Sequence, residues 1–523
     1  MGIITGIGGL SKRMISAGRA AWAAFNNAPI NSTALTSATT ESGWETFSAR
    51  YARYTIYDSY FNNTVYTLLE QYSATKKLNS TLYKHIRGIH NPVSRLVKLY
   101  ISKVYGGSLD YVNMTTGAIP IAEADKALRG ALKALWLSSN WQKQKSLYVR
   151  QGALYGDTLI KIVDDTSAGR VRMEVMHPGK LVDARYDAVG NILAAKLAYQ
   201  IEHPEKPGQS AIYMEEITEE YFKTYLDDSP YGFFTDGNGK KPPQWDNQYG
   251  FVPLVHVQHE DNGLHAGINA FHTGIRKIDE INDAASLLND QVRKVITPLW
   301  YFAGAGASDI TVNGSGQGGT KPERDMMPAI YGPEGSQPYP MVAPIDIAAA
   351  RANIDKLLEE LEADLPELAL RRLREGGQLT APGVRAGYSD ATDRITEARG
   401  NYDEGLIRAH KMGISIGGFR GYDGFKGYDL GSFDAGDLDH YIVERAVIED
   451  QLSVQEKLAA LEASGAPQSA IWAEMGYSED TIRKWQAELQ NTAAAQEAAN
   501  QNMIDAAAKS RQMQAAMSGA DKF

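Results

Sequence analysis

The 523-residue chain has no cysteine. Disulfides and thiolate-bound metals are therefore excluded, and stability must come from packing, hydrogen bonds and subunit contacts. No run reaches the roughly 18 consecutive apolar residues needed to span a bilayer. Basic charge is also short: 53 Lys and Arg stand against 63 Asp and Glu, a formal net charge of −10. Proteins that grip DNA nonspecifically are usually basic, because phosphate contacts supply most of that affinity. Any DNA partner of this chain is expected to slide past an acidic wall rather than to be held. The phosphate-cradling pattern GxxxxGK[ST] is missing, since Thr320 precedes Lys321, and so is the GxSxG serine elbow. What is present, 43% hydrophobic and 22% charged residues, is ordinary for a soluble globular protein. The length predicts two to four packed units.

Along the chain, residues 1–50 read as an amphipathic or disordered arm and linker. Helical spacing runs from Tyr51 to about Gly106, with a break at Asn91-Pro92, and again over 121–148. Strand signals then follow: 159–163, 171–175, 192–201, 212–217, 221–226 and 252–258, separated by turn residues, which predicts one antiparallel meander. Ile268, Phe271, Ile275, Ile278, Ile281, Ala285, Leu288, Val292 and Val295 recur every three or four residues. They predict one helix of about 28 residues, stopped by Pro298. A second helix is predicted at 346–370, with an apolar stripe of Ile347, Ala350, Ile354, Leu357, Leu361, Leu365 and Leu368. Its other face is acidic, and Pro366 is a possible kink. Short strands are expected between the two, at 299–303, 310–313, 329–331 and 341–342. A third helix is expected from Asp390, as N-cap, to Ile416. Beyond 437 come short helices opened by Pro467 and Ser478, then an Ala/Gln/Asn/Met-rich tail from Asn491 that reads as a frayed helix or disorder.

Three patterns imitate active sites. Gly314-Ser-Gly-Gln-Gly-Gly319 fits GxGxxG, but Thr320-Lys-Pro follows where a phosphate-binding helix should begin. His256, His259, Glu260 and His265, with His272 nearby, carry zinc-ligand chemistry without the HExxH spacing; surface and subunit-contact histidines are the ordinary reading. Tyrosines among Lys and Arg at 83–105 could form a base-stacking platform, although most should simply pack helices. No catalytic constellation, metal site or cofactor site is expected.

The order of elements resembles the portal proteins of tailed bacteriophages, of the siphophage type. Local phrases agree: Lys84-His-Ile-Arg-Gly-Ile-His-Asn-Pro through Tyr100 and Gly106-Gly107; Ala153-Leu-Tyr-Gly-Asp-Thr-Leu-Ile-Lys-Ile; Ile275-Arg-Lys-Ile-Asp-Glu-Ile-Asn-Asp with Ser286 to Asp290; and Gly465-Ala-Pro-Gln-Ser to Gly476-Tyr-Ser-Glu-Asp. The resemblance implies an α+β portal fold. It would comprise an N-terminal arm (1–50), a wing (51–264), stem helix 1 (265–297), a β-rich clip (298–345) and stem helix 2 (346–370). A tunnel loop (371–389), a long kinked helix with its connection (390–436), a helical crown (437–490) and a flexible tail (491–523) would complete it.

The same resemblance implies a homo-oligomeric ring, normally a dodecamer, built on heterologous contacts that close. It would sit at one vertex of the virion capsid after assembly in the host cytoplasm, and pass double-stranded DNA during packaging and ejection. Its partners would be the terminase large subunit, the head-tail adaptor, and the major capsid and scaffolding proteins, with no membrane involved. ATP hydrolysis would lie in the terminase. Glu359, Glu360 and Glu362 would form the acidic channel wall. Arg371, Arg372, Arg374 and Arg385 would contact phosphates from the tunnel loop, and Lys321 and Arg324 would dock the motor or adaptor at the clip. Two rivals remain: another ring-forming head or tail connector component, or a metal-dependent hydrolase using the histidine cluster.

Overall fold

The computed structural model describes residues 47–520 apart from 69–85, 123–125, 228, 233, 236–238, 241, 262, 264–265, 297–299, 304–328, 333–345, 370–380, 444–457, 460 and 475–478. It is a mixed helix-and-sheet protein of the α+β class. Its contacts divide into a large unit, 1–107 with 123–441, and a small one, 108–122 with 442–523.

The large unit opens with four helices: α1 (Phe47–Phe61), α2 (Val93–Val104), α3 (Lys126–Ser138) and α4 (Trp141–Tyr155). α2 starts where Pro92 breaks the chain. The Asn91 side chain accepts the Val93 N–H at 3.1 Å, and Val93, Leu96, Val97, Tyr100 and Val104 form its buried face. The helix expected over 121–148 is two helices. They turn at Asn140, whose φ of 48° suits the short polar side chain of asparagine. α4 ends at Gly156, with φ of 90°. A Cβ there would lie 2.3 Å from the Gly267 carbonyl oxygen, so the position requires glycine.

The longer strands between 157 and 258 form two sheets rather than one meander. β1 (Asp157–Asp165) and β2 (Arg170–Met176) form a hairpin, and β8 (Leu254–Gln258) pairs with the other edge of β1. The second sheet has the order β7-β6-β5-β4-β3, from β3 (Leu181–Tyr186), β4 (Ile192–Glu202), β5 (Ser210–Thr218), β6 (Tyr221–Leu226) and β7 (Gln244–Asp246). All its pairings are antiparallel. In β6, Phe222, Thr224 and Leu226 are buried while the residues between them are partly open, the alternation of a half-buried strand. Leu159 and Met176 from the first sheet join Leu197, Ile217 and Phe222 from the second in one apolar core. The Lys161 ammonium and the Glu215 carboxylate form an ion pair between the sheets.

α5 (Ile275–Ile296) is shorter than its apolar spacing predicted. Ile268 forms an isolated bridge to Glu260, and Gly274 seats the helix start against Leu361 and Leu365. Two four-residue strands, β9 (Trp300–Ala303) and β10 (Ala329–Gly332), pair in parallel. The expected strands at 310–313 and 341–342 lie outside the described residues. α6 (Ile347–Asp364) is capped by Asp346, which accepts the Ala349 N–H at 3.0 Å. Pro366 does not kink this helix. The helix ends two residues earlier, and Pro366 opens a 3₁₀ turn to Leu368.

α7 (Ala381–Phe419) is the longest helix of this unit and packs along β1, β2, β8, α2 and α3. It begins nine residues before the expected cap, so Asp390 is interior and the second half of the expected loop 371–389 is helical. Pro382 is tolerated because a helix's first N–H groups have no internal partner. In the small unit, Trp472 of α8 (Gln468–Glu474) meets Trp485 of α9 (Glu479–Ala520) edge to face at 5.1 Å. The tail expected to fray or be disordered is the continuation of α9, exposed throughout 486–512.

Buried acids in the large unit are answered by tyrosines. Tyr100 donates to Glu367 at 2.7 Å, Tyr105 to Asp403 at 2.5 Å and Tyr54 to Asp157 at 2.7 Å. Tyr100→Phe should therefore cost about 1.5–3 kcal/mol, the usual worth of a hydrogen bond to a charged group. Urea unfolding measures this, and a loss below about 0.5 kcal/mol would show that Glu367 does not need the bond.

Candidate functional site

The paired helices α5 and α6 are built on a buried polar footing. The start of α5 lies against the end of α6: Lys277 pairs with Asp364 at 2.8 Å and donates to the Glu360 carbonyl at 3.0 Å. Gly274 is covered by Leu361 and Leu365. The helices thus run antiparallel, as two arms of a hairpin whose far end carries β9 and β10.

One face of α5 is polar where the apolar spacing gave no warning. Asp279, Asn282, Ser286 and Asp290, three or four residues apart, fasten the segment 86–93 and α1 to the helix. The Tyr60 hydroxyl lies 2.8 Å from both Asp279 oxygens, sharing its single proton with the carboxylate, and Tyr66 donates to one of them at 2.8 Å. The Asn282 carbonyl accepts the Ile89 and His90 N–H groups at 2.8 and 2.7 Å, and its amide donates to the His90 carbonyl at 2.8 Å. Ser286 accepts the Arg87 N–H at 2.9 Å, and the Arg87 guanidinium reaches Asp290 at 2.8 Å. These residues were missed as a site, although their 3-4-4 spacing was a readable signal. Burial raises the Asp279 carboxyl to about 6, against the opposing pull of the Tyr66 and Tyr60 hydrogen bonds.

The acidic outer face of α6 is real but partly offset. Glu359 and Glu360 are exposed and Glu362 is half-buried. Lys356 lies 4.0 Å from Glu360 and Arg351 lies 3.9 Å from Asp355, both as exposed i,i+4 pairs, a class of contact that contributes little stability. Arg385 lies on α7 rather than in a loop, because the helix starts at Ala381. Arg371, Arg372, Arg374, Lys321, Arg324 and the glycine-rich run 314–319 lie outside the described residues.

The histidines expected near one another enter separate networks. His256 bridges Asp157 and Tyr186, at 3.0 Å to each. His259 meets the Tyr402 hydroxyl at 2.9 Å and is lowered to about 3, first by burial and then by Arg394. His272 is exposed, and His265 lies outside the described residues. Among the described residues no group of three or more potential metal ligands converges.

Tyr186–His256–Asp157 has the connectivity of a hydroxyl–imidazole–carboxylate relay and borders a cleft of about 420 Å³. Burial and the Asp157 charge hold the Tyr186 hydroxyl well above its ordinary range, however, the opposite of what an activated nucleophile requires. Burial opposes ionisation of Asp157, yet His256, the Gly267 N–H and Tyr54 together outweigh it and lower its carboxyl. The relay therefore fastens β1, β3 and β8 to α1. Of the tyrosines at 83–105, Tyr100 and Tyr105 are buried and pack helices; Tyr83 lies outside the described residues.

No protein-family model matches the chain, and a search of the curated proteins finds no match.

Because the Asp279 carboxyl is raised on folding, the folded protein holds that proton more tightly. The stabilisation is complete below the unfolded value near 4 and is lost as pH rises through about 6. Between pH 4 and 6 the wild type should lose about 2 kcal/mol relative to Asp279→Asn. Denaturant melts across that window test it, and parallel pH profiles for the two proteins would refute it.

Proposed function

We propose that the chain is the subunit of a portal-type ring, a closed homo-oligomer that surrounds passing double-stranded DNA at a capsid vertex. The single observation that carries this reading is the helical hairpin. Two antiparallel helices of 22 and 18 residues lead to and from a small β pair, and one carries an acidic outer face. The phrases around Lys84, Ala153, Ile275 and Gly465 fall in the order the resemblance requires. Apolar side chains left open on the hairpin, Leu287 at 53% and Ile347 at 44% exposure, suit burial against neighbouring copies.

In this reading the α6 face with Glu359, Glu360 and Glu362 lines the bore. Like charge keeps phosphates from binding, so the duplex moves without being trapped. Residues 371–380 and the start of α7 border the channel, and 298–345 meets the terminase and then the adaptor. The sheets and the first four helices face capsid and scaffolding proteins. The motor's ATPase would be on another chain, since this one has no P-loop.

Negative-stain electron microscopy and native mass spectrometry of the purified protein should give rings of about twelve subunits with a central hole. A stable monomer or dimer at all salt and protein concentrations would overturn the proposal. Where rings form, Glu359→Lys with Glu360→Lys should slow packaging at least severalfold and increase the salt sensitivity of DNA passage. An unchanged packaging rate would remove the acidic face from the mechanism.

A further inference from the structure

Far from the hairpin, three buried side chains form a chain whose protons can be placed from hydrogen-bond logic alone. The Trp136 indole on α3 can only donate, and its Nε1–H points at His410 Nε2 at 2.8 Å. That nitrogen must accept, so in the neutral ring Nδ1 of His410 carries the hydrogen. Nδ1 lies 3.1 Å from His440 Nε2, which must then accept in turn. His440 Nδ1 keeps the second ring's hydrogen and donates it to the Leu438 carbonyl at 2.8 Å. Every bond is satisfied with both imidazoles neutral, and only in this one direction.

The chain holds down a short strap. Residues 434–440 run over the large unit with only Leu438 and His440 buried; 434–437 and Asp439 are exposed. Further ties among the described residues are the Lys411–Asp439 ion pair at the surface, the attraction between Arg408 of α7 and Asp434, and the N–H bonds of Asp439 to the Gly436 carbonyl and of Asp434 to the Gly431 carbonyl. The charged groups acting on the pair are Lys411, next to His410 on α7, and Asp439, next to His440 on the strap. On α3 the nearest cation along the helix, Lys133, is exposed.

From this geometry we propose that the Trp136–His410–His440 chain is an acid-released latch, in which uptake of a proton by the histidine pair detaches residues 434–440 from α7. An added proton has two places to go. On His410 Nε2 it opposes the indole N–H; on His440 Nε2 it opposes His410 Nδ1–H. Each puts two donors face to face in a buried site, and the second removes the bond that joins the strap to α7. Burial, and then the neighbouring His440 ring, hold His410 well below its ordinary range; burial and Lys411 also lower His440, against the opposing pull of the Leu438 carbonyl and Asp439. The latch therefore stays closed at neutral pH. Histidines that bind protons less well when folded withdraw stability as pH falls below the unfolded value near 6.5. This inference does not depend on ring formation.

Hydrogen–deuterium exchange of the full chain from pH 7.5 to 5.0, corrected for intrinsic rates, reads the opening directly. Peptides spanning 434–441 should open about tenfold faster for each pH unit below about 6.5. Peptides from β1 and β2 should stay protected; if they open in step, the response is global and the latch is overturned. His440→Gln should abolish the pH response, whereas Asp439→Asn should keep it. A flat wild-type profile, or loss of the response in Asp439→Asn alone, overturns the proposal. Should His440→Gln not fold, Trp136→Phe serves instead. With the indole N–H gone, His410 Nε2 takes a proton unopposed while its Nδ1–H keeps donating to His440, so the onset of opening must move to lower pH; an unmoved onset sinks the idea.

Discussion

The large unit depends on buried carboxylates finding hydrogen-bond donors other than water. Asp157, Asp279, Glu367 and Asp403 are each met by at least one tyrosine hydroxyl at 2.5–2.8 Å. Asp164 likewise receives Tyr249 and Tyr422, both at 2.7 Å. An unpaired buried carboxylate costs several kcal/mol or takes up a proton. A tyrosine supplies the donor and a large apolar ring from one side chain. That combination explains why a chain with 28 tyrosines can place acids between its layers. The bonds also join segments far apart in sequence, α2 to the turn after α6 and α1 to α5. Each layer is thereby fixed in register as well as held by apolar contact.

α7 is the element these networks converge on. Tyr402 meets His259, Asp403 meets Tyr105, Arg394 reaches Glu367 at 3.4 Å, and His410 meets Trp136. Its approach to the sheet is closer than a side chain allows: a Cβ on Gly405 would lie 2.1 Å from Val257. Through Arg394, whose guanidinium also donates to the Asp364 carbonyl at 3.2 Å, α7 is bonded to the end of α6. Force applied to the hairpin would thus be carried into the sheets and the long helix rather than absorbed in a hinge at its base.

Much of this was legible in the sequence, and the misses share a cause. Periodicity identifies a buried face, so the strand at 221–226, the helix after Pro92 and the helical pair around Pro298 were readable. It does not say what covers the face or where the repeat stops being helix. The α5 stripe continued upstream to Ile268 and Phe271, which are buried or half-buried for other reasons: a bridge to Glu260 and a ring contact with Tyr57. Asp390 had the chemistry of a cap, but Pro382 had an equal claim to the first turn. The polar stripe on α5 was visible as spacing but carried no meaning without its partners, Tyr60, Tyr66 and the backbone at 87–90. One meander became two sheets because strand signals do not encode which edge pairs with which.

The hairpin's burial is graded, and the gradient bears on how an assembly would form. At its base Leu361 and Leu365 are almost fully covered, and Lys277, Asp364 and Arg394 close the polar groups. Toward the start of α6, Ile354 and Leu357 are only half-covered and Ile347 is open. A stripe that begins buried and ends exposed along one helix is half of a longer interface. Among the described residues the chain supplies the covering surface only near the base. In a closed ring each hairpin would find that surface on its neighbour. Stability of the outer half would then depend on assembly, while the inner half is already secured by contacts within the chain. In the proposed ring, such a division would keep the subunit folded before assembly and reserve its remaining apolar surface for the contact that closes the ring.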